Sequence, residues 1–219
     1  MIERGMIFNG EMVRAILDGR KTQTRRPVKF PFKDRNLGCE LSGNELAGEL
    51  SSGNYLNSPF GKPGDRIWVR ETFQGPLFDF DQMDAYCKDS APFEKAQFCV
   101  YKADGKPAPE FFDADDNLHC CWRPSIHMPR WASRILLEIT DVRVERLNAI
   151  SQADAIAEGA PPSHPSIDCV SQEYGFPDFS RSWFGQTWQY IYGEENWQAN
   201  PWVWVIEFKC IEGGGHATD

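Results

Sequence analysis

The segment 134–147 alternates apolar and polar residues, which predicts a single long β-strand. The alternation shifts by one residue at Thr140 and Asp141: the positions expected in a core are odd-numbered before this point and even-numbered after it. A β-bulge there would account for the shift. The residues that this pattern assigns to a core are Ile135, Leu137, Ile139, Val142 and Val144. The fold therefore has to contain a long strand that is half buried.

The other predicted elements alternate between short strands and short helices. Strands are predicted at 6–8, 66–71 and 202–210, and helices at 11–18, 151–158 and 180–192. Because they show no regular series of parallel crossovers, they suit an α+β fold: a small, mostly antiparallel β-barrel or twisted sheet with peripheral helices.

The chain has 219 residues, a length that suits one domain with insertions or two small domains. Two segments without strong periodicity, at about 30–62 and 74–130, are predicted as long insertions. We therefore expect a single domain over residues 1–219 that carries both insertions.

The formal net charge of −9 argues against a surface that binds polyanions as a whole. The charge is uneven, however: residues 1–37 contain nine Lys and Arg against four Asp and Glu, and residues 71–118 contain four against eleven. A local basic patch over residues 14–35 is therefore compatible with phosphate or nucleobase binding.

The seven cysteines are irregularly spaced and no apolar leader precedes them, which predicts reduced thiols in the cytoplasm. No apolar run reaches the roughly 18 residues of a membrane span, so no membrane partner is expected.

The most reactive combination of side chains lies just after the first predicted helix, in Gly19-Arg20-Lys21-Thr22-Gln23-Thr24-Arg25-Arg26. Lys21 and Thr24 would lie side by side in a tight turn but on opposite faces of a strand. The position after a helix end favours the turn. There, Lys21 could act as a base towards the Thr24 hydroxyl, if burial and neighbouring arginines lower its pKa. Taken alone, the same pattern is typical of a solvated basic loop.

Glu158 is predicted to end a helix that begins with a capping box at Ser151 and Asp154 and stops at Gly159. The C-terminal end of a helix dipole is negative, so it favours the protonated form of a carboxyl group there. This is the form that a general acid needs. The alternative is an ordinary surface glutamate.

A cluster of two histidines and two cysteines, His119, Cys120, Cys121 and His127, fits no standard zinc spacing. No metal and no cofactor are therefore expected. Trp131 follows a Pro-bounded loop, where an aromatic ring could stack on a nucleobase.

Taken together, several pieces resemble, in the same order, the ASCH family of the PUA-like superfamily. They are the motif 19–26 after its helix, Gly64 to Val69, Leu137 to Thr140, residues 147–158, and Val205 to Cys210. They cover roughly half of the chain, and the stretch 124–131 is also similar to that of longer, prophage-encoded members. The resemblance implies a small PUA-like β-barrel with peripheral helices.

Within this family the motif 19–26 looks like that of small bacterial N4-acetylcytidine amidohydrolases. This implies a metal-independent hydrolase that removes the acyl group from N4-acetylcytidine or a related nucleoside or nucleobase. In it Lys21 is the base, Thr24 the nucleophile and Glu158 the proton donor. Residues expected to bind the substrate are Arg26, Trp68, Arg70, Glu71, His127, Arg130 and Trp131. The alternative within the same family is a module that binds RNA or cleaves it.

Overall fold

The computed structural model describes residues 1–112, 117–163, 173 and 179–212. Its strands are β1 (Glu3–Ile7), β2 (Gln23–Pro27), β3 (Phe32–Lys33), β4 (Glu40–Leu41), β5 (Arg66–Arg70), β6 (Phe73–Gln74), β7 (Val100–Tyr101), β8 (Glu110–Phe112), β9 (Leu118–Cys120), β10 (Leu136–Arg146) and β11 (Trp202–Glu212). Its α-helices are α1 (Gly10–Leu17), α2 (Gly43–Ser51), α3 (Met83–Lys88), α4 (Gln152–Ala157), α5 (Phe179–Tyr192) and α6 (Glu194–Gln198).

The chain divides into two compact units, each built from separated segments. Unit 1 contains Met1–Ile2, Asp18–Asp65 and Glu138–Lys209. Unit 2 contains Glu3–Leu17, Arg66–Leu137 and the chain from Cys210 onward. The two segments predicted as insertions, 30–62 and 74–130, lie within unit 1 and unit 2, respectively.

The main sheet has the strand order β1–β5–β10–β11–β2. It is mixed, because β1 pairs with β5 in parallel whereas β11 pairs with β2 antiparallel. Three further pairs, β3 with β4, β6 with β7 and β8 with β9, are antiparallel two-stranded ribbons. The mixture of helices and strands agrees with the predicted α+β class. Over the residues that the structure describes, the strands do not close into a barrel.

The long strand β10 has the burial that its sequence predicts. Ile135, just before it, and its residues Leu137, Ile139, Val142 and Val144 are all buried. Thr140 and Asp141 lie between the two phases and are more exposed. The five predicted core positions are therefore confirmed, since one face of a strand repeats every second residue.

The core of unit 1 fixes the helices that follow β10. Its buried residues are Leu147, Ile150, Ala155, Phe184, Trp188, Val203 and Val205, and Trp183, Tyr192 and Trp197 pack against them. These side chains come from the chain around α4, from α5 and α6, and from β11. Burial of such large apolar groups stabilises the fold by about 1.5–3 kcal/mol for each fully buried side chain. This packing holds α4 in a defined position.

Over the described part of the chain, no helix is both long enough and apolar enough to cross a membrane.

Candidate active site

The short helix α4 places Glu158 at its C-terminal end. Ser151 caps the N-terminus: its hydroxyl accepts a hydrogen bond from the Asp154 N–H, 3.1 Å, and the Asp154 carboxylate accepts one from the Ser151 N–H, 3.2 Å. Both hydrogen bonds of the predicted capping box are therefore present. Glu158 is the C-cap residue, and Gly159 follows with a φ of 99°, a value that favours glycine.

The segment before β2 runs along this end of α4. Lys21 and Glu158 form an isolated antiparallel β-bridge. Next to it, the Thr22 N–H donates to the Ala157 carbonyl, 2.8 Å, and the Thr22 carbonyl accepts from the Phe208 N–H, 2.9 Å. Backbone hydrogen bonds thus fix Lys21 against the residue that its side chain also contacts.

Residues 21–25 are extended, so the tight turn predicted for Lys21 and Thr24 is not formed. The cause is pairing with distant segments, since Gln23 and Thr24 belong to β2 and pair with β11. The alternate residues Lys21, Gln23 and Arg25 all contact Glu158 or Asp154. This is the two-residue period of a strand face.

Each oxygen of the Glu158 carboxylate has its own cationic partner. The Lys21 amine donates to Oε2 at 2.8 Å and also to the Glu158 backbone carbonyl at 2.8 Å. The Arg25 Nη1 donates to Oε1 at 3.2 Å. Lys21 and Arg25 are each 2 % exposed and Glu158 is 5 % exposed, so all three charged groups are buried together. Buried charges persist only when they are paired in this way.

The Arg25 guanidinium has further contacts in unit 1. Its Nη2 donates to Glu145 Oε1 at 2.6 Å and lies 3.6 Å from Asp154 Oδ2. The Phe184 ring lies alongside, with 5.7 Å between its centroid and the guanidinium carbon. Over the described residues, Arg25 Nε and Gln23 Oε1 are buried without a hydrogen-bond partner.

The surroundings of Lys21 favour the neutral form of its amine. Burial is the largest influence and lowers its pKa below the ordinary value, and the nearby Arg26 and Arg25 act in the same direction. The attraction and hydrogen bond of Glu158 oppose this shift without cancelling it. A lowered pKa increases the fraction of neutral amine that can accept a proton.

A second arginine, Arg143, joins the surrounding carboxylates. Its guanidinium donates to Asp154 Oδ1 at 3.1 Å and to Glu145 Oε2 at 3.3 Å, and it also contacts Glu207. It has no contact with Glu158 among the described residues. Arg143 therefore belongs to the network around the site, whereas Arg25 touches the candidate proton donor itself.

Thr24 and Arg26 lie on β2 within the same unit, but at strand positions that alternate with Gln23 and Arg25. Thr24 pairs with Ile206 and is buried, and Arg26 pairs with Trp204 and is half-buried. In the described part of the chain, the hydrogen bonds of the Lys21 amine go to Glu158 and none goes to Thr24.

The other residues expected to bind the substrate belong to unit 2. Glu71 is buried there and accepts two hydrogen bonds from Arg134, at 3.0 and 3.1 Å. Burial raises the pKa of Glu71 above its ordinary value, although Arg134 acts in the opposite direction. Arg134 also contacts Asp104 and lies over the Tyr101 ring, with 3.9 Å between its guanidinium carbon and the ring centroid.

Trp68 and Arg70 project from the same face of β5. The Arg70 guanidinium carbon lies 5.4 Å from the Trp68 ring centroid, and Arg70 donates to the Ile126 carbonyl. On the neighbouring strand, Gly5 leaves room for the indole, since a Cβ there would lie 2.6 Å from a Trp68 ring atom.

His127, Arg130 and Trp131 follow one another on the Pro-rich loop of unit 2. His127 is exposed at the end of a short 3₁₀ turn, and Arg130 Nε donates to Glu3 at 3.0 Å. Trp131 packs against a cluster of buried residues, Phe73, Tyr101, Met128 and Ala132. Within the described residues there is no group of three His, Cys, Asp or Glu side chains that could hold a metal ion.

The structure brings in residues that the sequence pattern did not assign to the site. Arg25 was expected only as a neighbour of Lys21, and Gln23, Glu145 and Asp154 were given no role there. A signal for Arg25 and Gln23 does exist, because a strand starting at Lys21 would place every second residue on its face.

Comparisons with known proteins identify no family for this chain. No protein-family model matches it, and no curated protein matches it significantly. Among solved structures, it is similar to protein EF3133 from Enterococcus faecalis V583, described under the family model DUF984. The identity is 10 %, the TM-score is 0.39, and the match covers 97 % of this chain and 82 % of that chain.

Proposed function

We propose that this chain is a cytoplasmic, metal-independent amidohydrolase that removes the acyl group from N4-acetylcytidine or a related N4-acylated cytosine compound. The observation that carries the proposal is the buried contact of 2.8 Å between the Lys21 amine and Glu158 Oε2. Membership of the ASCH family and a PUA-like barrel are part of the same proposal, and they rest on the sequence pieces described above.

The Lys21–Glu158 pair can move one proton through the reaction and then reset. A neutral amine with a carboxylic acid holds the same number of protons as an ammonium with a carboxylate. The amine accepts the proton of the attacking hydroxyl, whose oxygen bonds to the acyl carbon, and Glu158 protonates the departing 4-amino nitrogen as the C–N bond breaks. The ammonium then returns a proton to the carboxylate across their hydrogen bond.

The attacking group is Thr24 or a water molecule. Thr24 needs its hydroxyl within about 2.6–3.2 Å of the Lys21 amine. Successive residues of a strand point to opposite faces. Thr24 therefore lies on the face of β2 opposite to Arg25, which contacts Glu158. Since the described hydrogen bonds of the Lys21 amine go to Glu158 and none goes to Thr24, we propose a water molecule as the attacking group.

Hydrolysis of N4-acetylcytidine, followed by ultraviolet absorbance, tests the proposal. Lys21→Met and Glu158→Gln should each lower kcat by at least about 100-fold, the usual contribution of a positioned acid or base. Lys29→Ala, in the same basic segment but exposed, is the matched control and should retain activity. Thr24→Ala should also retain activity if water attacks, and its inactivity would identify Thr24 as the nucleophile. Absence of turnover by the unmodified protein would overturn the proposal.

A further inference from the structure

The Arg25 guanidinium is held by carboxylates from two different elements. Glu158 and Asp154 come from α4 and its C-cap, and Glu145 comes from β10. The Arg25 side chain is completely buried, which removes the solvent screening that weakens exposed ion pairs. A planar guanidinium with several partners has little freedom to rotate. Its Nη1 is therefore a fixed donor towards Glu158 Oε1.

This fixed donor makes the two oxygens of Glu158 different. Oε1 accepts a hydrogen bond from the Arg25 guanidinium. A proton on Oε1 would find no acceptor in this group, because a guanidinium has only hydrogen-bond donors. Oε2 faces the Lys21 amine, which accepts a proton when it is neutral. A proton shared between Lys21 and Glu158 therefore resides on Oε2.

We propose that Arg25 is a positioning residue that directs the exchanged proton to Glu158 Oε2. Its charge also sets the pH range in which the Lys21–Glu158 pair holds a single exchangeable proton. This inference rests on the proposed function, because the role of the proton in turnover comes from it. Arg25 acts through Glu158 and needs no contact with the substrate.

Other charged groups around the pair act on the same equilibrium. Arg26 adds positive charge from β2, and Arg143 adds it from β10. Asp154 and Glu145 add negative charge from α4 and β10, and Asp141 and Glu207 act through their contacts with Arg143. Of the arginines with described contacts, Arg25 is the one that touches Glu158, so its removal should have the largest effect.

The direct test is a pH titration of the Lys21 side-chain nitrogen by NMR. Arg25→Met removes one of the cations that lower the pKa of Lys21 and should move the midpoint to higher pH. Arg143→Met removes the same charge without a contact to Glu158 and should move it less. Glu145→Gln removes a negative charge and should move the midpoint to lower pH, and this variant keeps the test valid if Arg25→Met does not fold.

The titration separates this inference from the proposed function, because it does not require turnover. If the unmodified protein hydrolyses N4-acetylcytidine, both limbs of its pH–rate profile should also move to higher pH in Arg25→Met. Arg25→Lys keeps the positive charge but loses the planar guanidinium with its several donors. The limbs of its pH–rate profile should therefore stay near those of the unmodified protein, while kcat falls. An unchanged midpoint in Arg25→Met, equal shifts in Arg25→Met and Arg143→Met, or an upward shift in Glu145→Gln would overturn the inference.

Discussion

The Lys21 amine is buried away from bulk solvent, and its hydrogen bond with Glu158 stabilises it there. Removing an ammonium or a carboxylate from water costs several kcal/mol for each ion, and their attraction offsets that cost only with good geometry. The two hydrogen bonds of 2.8 Å from Lys21 to Glu158 supply such geometry. Each partner therefore depends on the presence of the other.

This dependence gives a prediction for stability at the scale of single residues. Lys21→Met leaves the buried Glu158 carboxylate with Arg25 as its remaining cationic partner among the described contacts, and should lower the free energy of unfolding by about 3–5 kcal/mol. The double variant Lys21→Met/Glu158→Gln also removes the buried carboxylate charge that has lost its lysine partner and should recover much of this loss. Urea denaturation measures both variants.

A control for this measurement is the exposed ion pair between Arg20 and Asp18, 3.0 Å. Asp18→Asn should change stability little, because exposed pairs are well screened. If Glu158→Gln lowered the free energy of unfolding of Lys21→Met by as much as it lowers that of the unmodified protein, the coupling of Lys21 and Glu158 would be contradicted.

At the scale of elements, α4 determines where Glu158 lies. The helix has only six residues, so its capping box is a large share of what holds it in place. The same motif occurs at α2, where Ser42 and Glu45 make both hydrogen bonds but supply neither member of the Lys21–Glu158 pair. The two helices therefore provide a matched comparison between stability and activity.

Ser151→Ala and Ser42→Ala should lower stability by similar amounts, about 1 kcal/mol each. The hydrolase activity should fall in Ser151→Ala, because the position of Glu158 depends on α4, and should be retained in Ser42→Ala. Thermal unfolding and the N4-acetylcytidine assay, run on both variants, test this difference. Equal activities of the two variants would contradict a role of the α4 cap in placing Glu158.

Elements with a local cause could be predicted from the sequence. The buried positions of β10 follow from alternation, and the end of α4 follows from Ser151, Asp154 and Gly159. Residues 21–25 could not be predicted in this way, because their extended form comes from pairing with α4 and β11, which are distant in sequence. Strand formation depends strongly on such tertiary context.

The same limit applies to the mixed sheet. The parallel pairing of β1 with β5 joins Glu3 with Arg66 and Ile7 with Arg70, and nothing local to either strand specifies a parallel partner. For this reason the sequence predicted the α+β class, the long central strand and mostly antiparallel pairing, but not the parallel pair of β1 and β5.

At the scale of the whole molecule, the charge distribution opposes binding of polyanions. The formal net charge is −9, and two cations of the basic segment 14–35, Lys21 and Arg25, are buried against carboxylates. Phosphate binding needs cations that can reach the phosphate and release its counterions. Burial removes both residues from that role.

We therefore expect no retention of single-stranded RNA in a gel shift at about 0.15 M salt. A basic RNA-binding domain in the same assay serves as the positive control. Retention that weakens steeply with increasing salt would contradict this expectation and would favour the RNA-binding alternative for this chain.

Lys21 and Glu158 are separated by 137 residues, so Lys21 is synthesised well before its partner. At about 5–20 residues per second, a ribosome needs about 7–27 seconds to proceed from one to the other. During that time the Lys21 amine has no counter-ion from α4 and stays hydrated and protonated. A truncated product that ends before residue 158 therefore has no neutral amine to act as a base, so only chains translated past this point acquire the proposed activity.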